Sequence, residues 1–202
     1  MSMANQQDAT FVEKLGPANT AEITEGSLAL QQSHNLAVSE FGRWMVTDHG
    51  ALGPALEFLA QKAGLSVPTQ PDDAEQAKID ELSKLSGSKF DQTYVTEQVA
   101  DHQQALALLK EEVSKGEDPG LVSFAKHSIP LVEEHLKEAQ ILSSDLIPGV
   151  HSMGTQAGHA NIGSGGSSDY SQSTYRSYCM GATHQESYGQ GAMAMSPDSQ
   201  TG

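Results

Sequence analysis

The sequence predicts an all-α fold: a four-helix bundle with one long crossover containing a short helix, followed by a disordered C-terminal tail. Three observations predict it. Aromatic residues make up only 5% of the chain, so a core must come from Leu, Val and Ala, which favours helices over a sheet. Apolar residues recur at spacings of three and four as far as about residue 144. The composition then changes near Pro148-Gly149. All but one of the eleven Lys and Arg residues, and all but three of the 26 acids, precede residue 146.

Pro17 is placed to open the main part of the first helix, at about 17–33, after a short turn from Asp8 to Leu15. The second helix, at about 35–63, carries the stripe Phe41, Met45, His49, Leu52, Leu56, Leu59 and Ala63. Pro54 lies inside it and is expected to kink it after His49. Gly64 ends it, with Pro68 and Pro71 beyond. A short helix is expected at about 72–85. Ser88 and Asp91 form a capping-box pattern opening the third long helix, at about 88–115, whose stripe is Val95, Val99, His102, Leu106, Leu109 and Val113. Gly116 ends it. Asp118-Pro119 then caps and opens the fourth, at about 118–144, with Leu121, Phe124, Ser128, Leu131, His135 and Leu142 on one face.

Short joints make the first and second helices antiparallel neighbours, and likewise the third and fourth. The stretch from Gly64 to Gly87 is long enough to run back along the bundle, which is the ferritin-like connection pattern. Val46-Thr47-Asp48-His49 also echoes Val99-Ala100-Asp101-His102, a short match that suits two similar halves. Residues 8–145 are thus expected to form the bundle and 146–202 the tail. The tail is rich in Gly, Ser, Gln, Tyr, His and Met, and has too little apolar surface to offset its conformational entropy. Its His151, His159, His184, Cys179, Met153, Met180, Met193 and Met195 are donors that suit copper, but their irregular spacing reads as a solvated tail.

The formal charge of −15 repels phosphate backbones and argues against nucleic-acid binding. With one cysteine, Cys179, there is no intramolecular disulfide framework and no thiolate metal site. The N-terminal residues show neither a signal peptide nor a transmembrane segment. The location expected for the chain as given is therefore cytoplasmic, or periplasmic or exported if a signal has been removed. The pattern is compatible with a homo-oligomer.

Chemistry is concentrated in His49, His102 and His135. Each lies near the middle of a different helix on its inward stripe, and mid-helix inward positions of a bundle converge on one level. On the first helix, Glu22 and Glu25 share a face. Glu22, the preferred of the two, is expected to complete a metal site with the three imidazoles. Histidine and glutamate ligands suit one transition-metal ion, Zn, Fe or Mn. Di-iron carboxylate bundles use Glu-x-x-His on two helices. The positions three before these histidines are Val46, Val99 and Val132, so a di-iron centre is not expected. Asp48 and Asp101 point about 100° away from the adjacent histidines, as flank acids or as partners to a histidine on a neighbouring helix.

Several segments carry a resemblance. They are Ala21-Glu22-Ile23, Gly26-Ser27-Leu28-Ala29, Phe41-Gly42-Arg43-Trp44-Met45-Val46-Thr47-Asp48-His49, Leu85-Ser86-Gly87, Phe90-Asp91-Gln92-Thr93-Tyr94, Gly116-Glu117-Asp118-Pro119 and Leu131-Val132-Glu133-Glu134-His135-Leu136. Over about 10–143 the chain resembles a bacterial ferritin-like family of domains of unknown function, whose members are often labelled as exported or outer-membrane proteins. The resemblance implies a ferritin-like bundle, and Glu22, His49, His102 and His135 match family positions of those residue types. Glu25 falls where the family more often has an apolar residue. The family commonly carries an export signal, from which this chain departs.

Two functions follow. One is a metal-binding bundle with a role in oxidative or general stress. The other is a metal-free structural or interaction bundle whose histidines pack and hydrogen-bond. For an enzyme acting on peroxide there is no residue-level support beyond a metal.

Overall fold

The computed structural model describes residues 4–147, and among them there is no strand. Five helices follow in order: α1 Gln6–Gln32, α2 Leu36–Lys62, α3 Asp73–Leu82, α4 Gly87–Lys115 and α5 Pro119–Leu146. The fold class is the expected one. α1 packs chiefly on α2 and α4 on α5. The two hairpins meet through α1 on α4 and α2 on α5, while α3 rests on α1 and touches α4. The expected tail lies outside the described residues from position 148 on, and Leu146 still belongs to α5.

The first helix starts earlier than Pro17 predicts. Asn5 caps α1, its Oδ1 accepting from the backbone of Gln7 and Asp8, and Asp8 accepts in return from the Asn5 N–H. Asp8 also takes the N–H groups of Glu117 and Asp118, tying the start of α1 to the α4–α5 turn. These contacts hold about three extra turns in the helix, and Pro17 sits within it. α2 ends at Gly64, whose φ of 77° needs no side chain to be accommodated. Leu65 N–H reaches Ala60 O and Gly64 N–H reaches Gln61 O, a Schellman closure. Asp118 caps α5 ahead of Pro119, as expected. The Ser88–Asp91 capping box does not form. α4 begins one residue earlier, at Gly87, with Ser86 at the cap and no side-chain bond there.

The buried face of α4 also differs from the expected one. It runs through Phe90, Asp91, Tyr94, Val95, Gln98, His102, Leu106, Leu109 and Glu112, so Val95 is buried as expected, while Val99 is only half-buried and Val113 is exposed. Apolar layers close both ends of the interior. Phe41, Phe90 and Tyr94 pack together at one end, and Phe11 meets Phe124 edge-on at the other. The polar residues lie between them.

α1 and α2 approach most closely at Gly26 and Gly42. A Cβ on Gly42 would lie 2.6 Å from the Ala29 Cβ and 2.8 Å from Gly26 O. Backbone cannot yield as a flexible side chain can. Gly42→Ala is therefore expected to lower stability by about 1–3 kcal/mol, despite the better helix propensity of alanine. Urea unfolding should show a lower midpoint with an unchanged m-value.

Candidate metal centre

Four helices each bring one inward residue to the middle of the bundle. His49 comes from α2, His102 from α4, His135 from α5 and Glu22 from α1. The three imidazoles form a triangle with ring centroids 5.8, 5.5 and 5.4 Å apart. One nitrogen from each ring lies within 4.8 Å of the other two. All three rings are buried, with 7%, 1% and 1% of their residue surfaces exposed.

The hydrogen bonds fix the tautomers. Asn19 Nδ2 donates to His49 O at 3.0 Å, which turns its Oδ1 toward His49 Nδ1, also at 3.0 Å. His49 Nδ1 must therefore carry the proton. His102 Nδ1 donates to Gln98 O at 3.0 Å, one turn back on the same helix. His135 Nε2 donates to Asp48 Oδ2 at 3.0 Å. Each partner is an acceptor, so a ring in its neutral form presents a bare lone pair on its other nitrogen. Those nitrogens are His49 Nε2, His102 Nε2 and His135 Nδ1. All three are buried, and none has a hydrogen-bond partner among the described residues.

Burial, then His135 and His102, hold the His49 imidazole well below its usual pKa. His102 is pushed down to about 3, first by burial and then by His135. Both rings are neutral at neutral pH, the state in which imidazole binds a metal.

The structure brings the three predicted histidines together and sets Glu22 behind one of them. Glu22 Oε1 lies 3.6 Å from His102 Nδ1, the nitrogen that already donates to Gln98. Glu22 and Glu25 are both buried, Glu25 the more deeply. Burial raises the Glu22 carboxyl well above the carboxylate range, and the Glu25 charge adds to this. Burial, followed by Asp101 and Glu97, pushes Glu25 up to about 8. Asp48 takes one of the roles expected of it, partnering a histidine on a neighbouring helix. Asp101 is a flank acid, paired with Lys78 at 2.6 Å.

Asn19 and Gln98 are residues of this cluster that the sequence pattern did not single out. Each sits on the inward face at helical spacing from a predicted site residue, Asn19 three before Glu22 and Gln98 four before His102. A cavity of about 850 Å³ reaches His49, His102, Glu22 and Glu25, and the exposed acids Glu13 and Asp72 also line it. Among the described residues, no helix is long and apolar enough to cross a membrane.

Solved structures of similar fold exist. CopM in its Cu(I)-bound form is 16% identical with a TM-score of 0.59, the match covering 69% of this chain and 97% of that one. A DUF305 fragment from Deinococcus radiodurans is 15% identical with a TM-score of 0.61, over 69% and 97%. A DUF305 protein from Streptomyces coelicolor is 12% identical with a TM-score of 0.60, over 77% and 98%. At these identities the likeness concerns the fold. A comparison with curated proteins finds no match. The model of a domain of unknown function, DUF4142, matches residues 1–142, most of the chain, and the protein belongs to the DUF4142 family.

Proposed function

We propose that this protein binds one transition-metal ion through His49, His102 and His135, and that it handles such an ion during oxidative or general stress. The carrying observation is the set of three buried lone pairs left without a donor. A buried acceptor without a partner costs about 1–3 kcal/mol. Three acceptors facing one another cannot satisfy each other by hydrogen bonding, because no proton lies between them. A cation satisfies all three at once.

The outward bonds to Asn19, Gln98 O and Asp48 are the arrangement that orients metal-ligating imidazoles. Metal–imidazole bonds of about 2.0–2.1 Å would draw the rings somewhat closer than they stand here. In this reading Glu22 positions His102 and balances charge. An all-imidazole set suits Zn, Cu or Fe better than Mn. CopM, whose fold is similar, binds copper and silver, which makes copper a candidate beside zinc and iron. The two hairpins joined by one long crossover follow the ferritin-like pattern.

The test is elemental analysis of the untagged protein, as purified and after reconstitution with Zn²⁺, Cu⁺ or Fe²⁺. One ion per chain is expected, with a lower Tm after chelation. No stoichiometric transition metal, together with a Tm indifferent to chelator, would leave the metal-free structural bundle as the better account.

A further inference from the structure

Beside the histidine layer, toward Tyr94, lies a second polar cluster that meets the imidazoles only at His102. Glu22 and Glu25 sit one turn apart on α1, both buried. A single nitrogen, Gln98 Nε2, donates to Oε2 of both, at 2.7 and 3.1 Å. Gln98 is itself fully buried, and its Oε1 has no partner among the described residues. The hydroxyl of Tyr94 is also buried without a partner, and its charge interactions are with Glu22 and Glu25. The nearby ammonium of Lys78 is engaged by Asp101.

This is more than a group of acids. Gln98, buried against two carboxyl groups that share its one donor, has a bare oxygen, and so does the buried Tyr94 hydroxyl near them. Turning the Gln98 amide over exchanges its nitrogen for its oxygen and directs that oxygen at both carboxylates. The cluster then offers carboxylate, amide and phenol oxygens with no nitrogen or sulfur.

We propose that Glu22, Glu25, Gln98 and Tyr94 form a second cation site, for a hard divalent ion bound through oxygen. Carboxylates and carbonyls suit Mg²⁺, Ca²⁺ and Mn²⁺. Two carboxylates neutralise a divalent charge, which a buried site requires. The cavity that reaches both glutamates supplies an entry path and room for water ligands, and the acids along it draw cations in. The site does not depend on an ion at the histidines, although the two touch where Glu22 meets His102.

Mn²⁺ is the probe. The untagged full chain, stripped of metal, is titrated with Mn²⁺ alone while the six-line resonance of the free ion is followed. One Mn²⁺ per chain is expected. Glu25→Gln should weaken binding by at least about tenfold, and Tyr94→Phe by a smaller factor. His49→Gln and His135→Gln should leave Mn²⁺ affinity unchanged. Binding that survives Glu25→Gln but disappears in the histidine variants would assign the ion to the imidazoles and overturn the proposal. So would the absence of saturable binding up to about 1 mM, the weak end of the range for oxygen sites. Should Glu25→Gln not fold, Tyr94→Phe decides, since it deletes a single oxygen. An unchanged affinity in that variant overturns the site.

Discussion

Replacing His135 by alanine is expected to lower transition-metal affinity by at least about 100-fold while leaving the bundle folded. One of three ligands is lost outright, and no other group offers a lone pair at that position. Asp48 loses its partner, but its side chain is 16% exposed and can turn to water. The same argument predicts a graded series. Asp48→Ala leaves the His135 tautomer unfixed and should cost about 10–100-fold. Asp48→Asn keeps an acceptor and should cost less. The stability readout moves in parallel. An ion present at about 1,000 times its Kd adds about 4 kcal/mol, or roughly 8–16 °C in Tm for a domain of this size. That increment should be absent in His135→Ala. Calorimetric titration and melting with and without metal measure both quantities. Full affinity in His135→Ala would reject the site. Full affinity in Asp48→Ala would reject the tautomer argument while sparing the ligand set.

The histidines were legible because periodicity alone assigns inward positions. Three apolar stripes, each interrupted near its middle by a histidine, place the rings at one level before any contact is known. What orients the rings was not legible. Asn19 is a polar residue within a helix, and an isolated polar residue at helical spacing looks the same whether it faces water or a buried ring; the acceptor for His102 is the backbone carbonyl of Gln98, which side-chain identity does not reveal. The face of α4 was misjudged for a related reason. Val99 and Val113 outweighed Tyr94, Gln98 and Glu112 in hydrophobicity, although the helix turns the second set inward and, of the valines on the expected stripe, buries only Val95 fully. At the N-terminus, Pro17 is a strong opening signal, yet the start of α1 is decided by Asn5 and by the long-range grip of Asp8 on Glu117 and Asp118. A contact across that much of the chain leaves no local trace. Glu25 shows the limit of the family pattern. The resemblance implies an apolar residue there, and here the interior holds a carboxyl instead.

That carboxyl, with two other buried ones, gives the metal-free protein an unusual pH profile: greatest stability between about pH 4.5 and 6.5, and a steep loss on the alkaline side. Glu22 is raised well above its ordinary 4.5, and Glu25 and Glu112 are raised to about 8, in each case first by burial. A raised carboxyl keeps its proton in the folded state after the unfolded chain has lost it. Its stabilising contribution is complete below about 4.5 and is lost as pH rises through about 8. The histidines have the opposite sign. His49 and His102 are depressed, His102 to about 3, so the unfolded chain binds protons first as the solution is acidified. Their contribution is complete above the ordinary value of 6.5 and is lost as pH falls toward 3. Between 4.5 and 6.5 the two sets oppose each other, and above 6.5 only the carboxyls titrate. Melting of the chelator-treated protein at about pH 3.5, 5.5 and 8.5 should therefore give the highest Tm at the middle value. The drop toward pH 8.5 should shrink in Glu25→Gln, because an amide has no proton to lose. An alkaline limb as steep in that variant as in the unaltered protein would mean that the buried carboxyl at position 25 is not what the fold loses.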